Sequence, residues 1–253
     1  MNKSIRRYKV VDTSDGSATL YSKEFDECYH STKDGALSES LYKHIIPAFN
    51  LVGDRDKLVI LDICFGLGYN TLATLYYIKE HNIDIEVEIV SPEMDRELVA
   101  LLSNFDYPKE FEYLQDTIDS LAKYGKYENN RYKIDIHFAD ARQILPKLSQ
   151  KFDIVYQDAF NPKKNPLLWT KEYFKDVANL IKPDGIITTY SSATPVRMSL
   201  YENGFNIYTH PKGSVREGTI ASFATLNLPA VDMELKKQRN PQANALFDSE
   251  FIY

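Results

Sequence analysis

The sequence predicts an α/β fold built on an open, mainly parallel sheet with helices on both faces. Three observations carry this. From residue 57 to 226, short apolar strands alternate with helical stripes, the pattern that buries a parallel sheet between layers of helices. A Gly66-Leu67-Gly68 turn joins the first of these strands to the first helix, where backbone must come close to a ligand. The final pair of strand candidates is joined by a glycine-containing loop and reads as an antiparallel hairpin.

The elements follow in order. Ala18 to Phe25 reads as a strand, and Ser38 to Phe49 as a helix with Leu41, Ile45 and Ala48 on one stripe. Leu58 to Ile63 is a continuous apolar run, expected of a buried parallel strand. Tyr69 to His81 is helical, with Leu72, Leu75 and Tyr76 on one face. Strands are expected at 85–90, 134–138 and 152–156. The helix over 170–181 has a stripe of Tyr173, Phe174, Val177, Leu180 and Ile181, with Thr170 as its N-cap. Gly185 opens a strand over 186–190, and Thr194-Pro195 starts a short helix that Gly204 ends. The hairpin is expected over 205–208 and 220–225. The whole makes seven strands. Residues 97–131 break the alternation and read as a helical insertion. Residues 1–56 form an N-terminal extension to the 57–226 core, and the polar tail 227–253 is expected to be loosely held.

Composition narrows the function classes. The chain has 253 residues, 43 % hydrophobic and 26 % charged, ordinary for a globular protein large enough to bury its own core. No apolar run approaches the ~20 residues of a membrane span. The two cysteines, Cys28 and Cys64, suggest a reduced, cytoplasmic setting. The five histidines have no zinc-site spacing with them, so no metal is expected. A net charge of −6 excludes a uniformly basic nucleic-acid binder but allows local basic surfaces. Lys3, Arg6, Arg7 and Lys9 form one such cluster, Lys163-Lys164 another, and Lys236, Lys237 and Arg239 a third. Each is also what a solvated face looks like.

Ligands of such sheets bind beyond the carboxyl ends of the strands, so residues just after each strand are the candidates. After the first comes Asp62-Ile63-Cys64-Phe65-Gly66-Leu67-Gly68-Tyr69-Asn70-Thr71. Thr71 stands where a phosphate-binding fingerprint wants glycine, and the acid suits a cationic ligand such as the sulfonium of S-adenosylmethionine. After the second come Glu93 and Asp95, rival carboxylates for ribose hydroxyls. The spacing of 31 residues from Asp62 to Glu93 is longer than the usual ~20. After the third, Asp140 serves either as an acceptor for adenine or as a helix N-cap, two compatible roles. After the fourth, Asp158-Ala159-Phe160-Asn161-Pro162 opens a stiff loop that runs to Trp169.

These segments resemble a known family. Asp62–Asn70, Phe138–Arg142 and Asp158–Trp169 are similar to the methyltransferase domain of the bacterial tRNA-modifying MnmC proteins. The match to D-x-F-x-P-x-x-N-P-x-x-W is position by position at Asp158, Phe160, Pro162, Asn165, Pro166 and Trp169. Tyr29-His30-Ser31, Gly35, Glu39 and the Lys212–Glu217 stretch with Arg216-Glu217 extend the similarity over residues 25 to 225. Cys64 stands in place of the first glycine of the family turn and Asp62 in place of its Glu.

The resemblance implies a class I, Rossmann-like S-adenosylmethionine-dependent methyltransferase. It implies N-methylation of the aminomethyl group of 5-aminomethyl-2-thiouridine at the tRNA wobble position, with Asp158 catalytic. The cofactor set it implies is Asp62, Phe65, Gly66, Gly68, Asn70, Glu93, Asp140, Ala141 and Asp158. The substrate set is Glu39, Phe160, Pro162, Lys163, Trp169 and Arg216. It further implies the tRNA anticodon loop as partner and the stand-alone form without the flavin oxidase domain. Separate flavin-dependent or other aminomethyl-forming enzymes would then act upstream. A small-molecule amine methyltransferase and a non-catalytic cofactor-binding module are rival readings. So is an aminopropyltransferase, although the G-G-G-x-G turn usual in that class is missing.

Overall fold

Residues 7–210, 215–240 and 242–251 are described by the computed structural model of the chain. Lys3, Arg6 and Lys212 lie outside the described residues. A small antiparallel sheet comes first, made of β1 (Tyr8–Asp12), β2 (Ala18–Ser22) and β3 (Glu27–Cys28). A helical stretch follows in three parts: α1 (Ala36–Ser40), a π-turn (Leu41–Ile45) and α2 (Ile46–Leu51). The widened turn is local: the Ile46 N–H bonds to the Leu41 carbonyl. Pro47, which directly follows, has no N–H to continue the regular ladder.

The core alternates as the periodicity predicts. Its elements are β4 (Lys57–Ile63), α3 (Tyr69–Glu80), β5 (Glu86–Pro92), α4 (Arg96–Leu101), α5 (Gln115–Tyr124) and β6 (Lys126–Glu128). Then come β7 (Tyr132–His137), α6 (Ala141–Ile144), β8 (Phe152–Gln157), α7 (Lys171–Leu180), β9 (Ile181–Thr189), α8 (Thr194–Tyr201), β10 (Asn206–Thr209) and β11 (Thr219–Ser222). The sheet order is β10-β11-β9-β8-β4-β5-β7-β6. The pairings β9-β8-β4-β5-β7 are parallel, and β10-β11, β11-β9 and β6-β7 are antiparallel. Every residue of β8 is buried, as a central strand covered on both faces should be.

The sheet has eight strands among the described residues, not the seven expected. The extra one is β6, which lies inside the insertion and pairs Lys126 with Asp135 and Glu128 with Lys133. Three residues with exposed charges at both ends carry no hydrophobic pattern to read, and charge is how an edge strand resists further pairing. The tail also differs from expectation. It forms a helix, α9 (Met233–Arg239), and buries Met233, Ala243 and Ala245. Asp248 pairs with Arg142 and accepts from the Thr170 hydroxyl at 2.7 Å. No helix among the described residues is long and apolar enough to cross a membrane.

The order places the carboxyl ends of β4 and β8 side by side, with β5 and β9 flanking them. From β4 the chain moves outward to β5 on one side and later returns to β8 on the other. That reversal leaves a crevice above the sheet. The small sheet and its loops lie over this crevice, and the helical stretch after it packs against α3 and β9. The Tyr69 hydroxyl, at the start of α3, donates to the Ala18 carbonyl of β2 at 2.8 Å.

Candidate functional site

The turn after β4 is a run of left-handed residues: Cys64 at φ 65°, Gly66 at 54° and Gly68 at 71°. A side chain in this region costs about 1–2 kcal/mol, so Cys64 is strained where glycine would not be. At Gly68 the space is closed as well. A Cβ there would lie 2.8 Å from the Phe65 ring, itself almost wholly buried. Gly68→Ala is therefore expected to lower stability by about 1–3 kcal/mol, read as a lower urea midpoint at unchanged slope. An unchanged midpoint would show that the turn relaxes freely.

Two cavities open over the strand ends. One, of about 490 Å³, is lined by Glu93, Met94, Asp140, Ala141 and Leu168 among others. The other, of about 410 Å³, is lined by Asp158, His30, Glu39, Lys43, Tyr190 and Arg216 among others. Tyr29, Cys64 and Phe160 line both. Phe160 is stacked on Phe25 with ring centres 4.4 Å apart and meets Tyr29 edge-on at 4.9 Å.

In the first cavity the carboxylates have distinct duties. Glu93 accepts from the Gly66 N–H at 2.8 Å and from the Asp95 N–H at 2.7 Å. Burial pushes its carboxyl up, and these backbone donors act against the rise. Each oxygen keeps a lone pair for a further donor. Asp95 is engaged elsewhere. It caps α4 through the Leu98 N–H at 2.8 Å, receives the Tyr8 hydroxyl, and sits 3.3 Å from Arg7. Asp140 caps α6 through the Arg142 N–H at 2.9 Å and also lines the cavity.

In the second cavity Asp158 accepts from Asn70 Nδ2 at 2.9 Å. His44 Nε2 lies 3.6 Å from its Oδ1. Burial alone would raise the Asp158 carboxyl, but His44, His30 and Asn70 together hold it below the ordinary range. Asp62 stands behind Asn70, 1 % exposed, and accepts from Thr71 Oγ1 at 2.8 Å. Burial pushes its carboxyl up to about 7, with the Thr71 bond opposing. The loop after β8 is tied down at several points. Trp169 Nε1 donates to the Phe160 carbonyl at 2.8 Å, and the Tyr190 hydroxyl to the Ala159 carbonyl at 2.9 Å.

The structure therefore sorts the expected residues. Glu93, Asp140 and Ala141 line the first cavity; Asp158, Glu39 and Arg216 line the second. Phe160 lines both. Asp62, Phe65, Gly66, Gly68 and Asn70 form the wall behind them rather than the lining. Trp169, expected against substrate, is wholly buried and braces the loop instead. Pro162 and Lys163 stand on that loop outside both linings, with Lys163 exposed. Glu39 has both oxygens engaged, by Lys43 Nζ at 3.0 Å and the Ser31 N–H at 2.6 Å. It holds a buried lysine at the cavity.

Sequence reasoning missed Lys43, Tyr190 and His44 as parts of the site. Lys43 and His44 sit in a helix whose stripe was read through its apolar residues only. Tyr190 directly follows β9, a position that the strand-end rule itself points to.

Residues 109–224 match the family described as S-adenosyl-L-methionine-dependent methyltransferase. The crystal structure of MnmC2 from Aquifex aeolicus superposes with a TM-score of 0.83 at 34 % identity, over 96 % of this chain and 79 % of that one. An uncharacterized protein of Methanocaldococcus jannaschii is 36 % identical over 78 % of this chain and 54 % of its own length. The tRNA 5-methylaminomethyl-2-thiouridine biosynthesis bifunctional protein MnmC of Campylobacter fetus is 28 % identical over 74 % of this chain and 31 % of its own. The chain thus spans about half the length of the first of these two curated relatives and about a third of the second.

Proposed function

The chain belongs to the MnmC-like family of S-adenosyl-L-methionine-dependent methyltransferases, and from that premise we propose that it methylates the aminomethyl nitrogen of 5-aminomethyl-2-thiouridine at the tRNA wobble position. The observation that carries this reading is Asp158: a partly buried carboxylate, held below the ordinary carboxylate range, lining a cavity that shares a wall with a second one. A methyl transfer needs two ligands meeting at one point, and two cavities with common lining residues provide it.

The first cavity suits the cofactor by the chemistry of its donors. Glu93 offers two fixed acceptor oxygens to a ribose diol, and Asp140 an acceptor to an exocyclic amine. Met94, Ala141 and Leu168 supply apolar surface for a base. The cofactor, when bound, supplies an electrophilic methyl group. Everything else is work for the chain. An alkyl amine is mostly protonated at neutral pH and has no free electron pair. Asp158 binds that ammonium as an ion partner and orients it across the shared wall. Asn70 fixes the carboxylate through Oδ2, and each oxygen keeps a lone pair for a further donor. Phe160 and Tyr190 present aromatic faces on which an unstacked base can lie.

Support for RNA comes from individual basic side chains at the cavity, which stand beside Glu27, Asp34, Glu39 and Asp158 in its lining. Lys33 and Arg216 line the second cavity, and Lys163 is exposed on the adjoining loop. The tRNA-modifying role in the name of the Campylobacter fetus relative agrees with such a rim. The test is labelled methyl transfer from S-adenosylmethionine to tRNA lacking the modification, followed by nucleoside analysis. The expected product is 5-methylaminomethyl-2-thiouridine, with tRNA affinity falling steeply as salt rises. Methylation of small amines with none on the tRNA would replace this reading by the small-molecule one.

A further inference from the structure

His44 has so far entered only as a neighbour of Asp158. It sits on the π-turn, a distortion that often marks functional positions, and is fully buried. Its Nδ1 lies 2.9 Å from Thr188 Oγ1. Its Nε2 has no hydrogen-bond partner, although it stands 3.6 Å from Asp158 Oδ1. The ring meets Tyr156 edge-on at 5.7 Å. A buried ring nitrogen without a partner costs on the order of 1–3 kcal/mol, which calls for a reason.

The charged and titratable groups around it come from every neighbouring element. Asp158 faces it from the end of β8, Tyr156 from within β8, and Asp62 from β4. His30 faces it from the loop after β3. On its own turn, Lys43 is turned to Asp34 and Glu39. Asp158 is the group within closest reach of Nε2, and Asp158 also lines the substrate cavity.

We infer that His44 is the proton acceptor behind Asp158: it receives, through the carboxylate, the proton that the substrate ammonium must lose. The inference rests on the amine-methylation reading above. One N–H bond of the ammonium breaks and its electron pair stays on nitrogen. The proton crosses the Asp158 carboxylate, and a new N–H bond forms at His44 Nε2. Imidazolium and carboxylate then face each other as an ion pair, and the amine carries the pair needed to accept a methyl group. The methylated product leaves as a secondary ammonium, and the stored proton returns to solvent over the same carboxylate. The division of labour follows the geometry: Asp158 lines the cavity, and the unpartnered His44 Nε2 stands directly behind its carboxylate.

His44→Gln tests this, since the amide keeps a donor for Asp158 and cannot store a proton. Single-turnover methyl transfer is expected to fall at least ~10-fold at neutral pH, with cofactor affinity unchanged. The deficit should close as pH rises, because the amine then arrives without its extra proton. An equal loss at every pH would mean a packing role and overturn the inference. A second measurement needs no RNA and no His44 variant: nitrogen NMR of His44 across pH, in wild type and in Asp158→Asn. Removing the carboxylate should move the His44 titration to lower pH. An unmoved titration would overturn the coupling. Clear coupling in a wild-type protein that is silent on tRNA would support the pair and sink the substrate reading instead.

Discussion

Asp158→Asn is expected to cut turnover by ~100-fold or more, with S-adenosylmethionine affinity close to wild type. The substitution keeps shape and removes charge. The Asn70 Nδ2 bond to the side-chain oxygen at 2.9 Å can persist, so the loop and the shared wall should hold. What is lost is the anion that captures the ammonium and passes on its proton. A factor of 100 corresponds to about 2.7 kcal/mol of barrier, within the range for a positioned acid–base group. Steady-state rates on modified-deficient tRNA, with calorimetric cofactor affinity as the control, separate the two effects. Wild-type turnover at neutral pH would remove Asp158 from the proton step.

Glu93→Ala should weaken cofactor binding by about 10- to 150-fold, the equivalent of the ~1.5–3 kcal/mol carried by a charge-assisted hydrogen bond. The substitution also strands the Gly66 and Asp95 N–H groups, so Glu93→Gln is the informative partner. It keeps an acceptor for one of them and should bind better than the alanine variant. Asp95→Asn is the contrast, because Asp95 is taken up by Tyr8, Arg7 and the α4 cap. Titration calorimetry should find its cofactor affinity nearly unchanged. A larger loss in Asp95→Asn than in Glu93→Ala would reverse the assignment.

β4 was legible because burial on both faces demands a nearly continuous apolar run, and β5 and β7 because apolar residues alternate with charged ones at the strand period. The helix over 171–180 was legible from its stripe and its Thr170 cap, whose hydroxyl indeed accepts from the Tyr173 N–H at 3.2 Å. Strand-end logic also found the residues that line the cavities at Glu93, Asp140 and Asp158. Short elements escaped. β1 reads Tyr-Lys-Val-Val-Asp with Val10 exposed, and β3 has only two residues; their pairing is decided by tertiary contact. The π-turn escaped because its register is set by Pro47 and by packing, and it rotates Lys43 and His44 inward where a regular helix pattern reads them as polar face. Trp169 escaped in the opposite sense. Its place in a motif suggested contact with substrate, whereas its indole is a brace for the Phe160 carbonyl. The tail's attachment depends on Arg142 reaching Asp248, more than 100 positions away, a pairing that no local pattern encodes.

The shared wall of Tyr29, Cys64 and Phe160 has a kinetic consequence. On the proposed assignment each ligand has its own chamber, so neither must depart before the other arrives. Cys64 is the one thiol in that wall, and burial pushes it well above the ordinary thiol range. It stays protonated and is a poor nucleophile toward an alkyl donor. Cys64 then offers the methyl group no resting place between donor and acceptor. Initial-rate lines for the two substrates should intersect, as in a ternary-complex mechanism, and not run parallel as in one that passes through an alkylated enzyme.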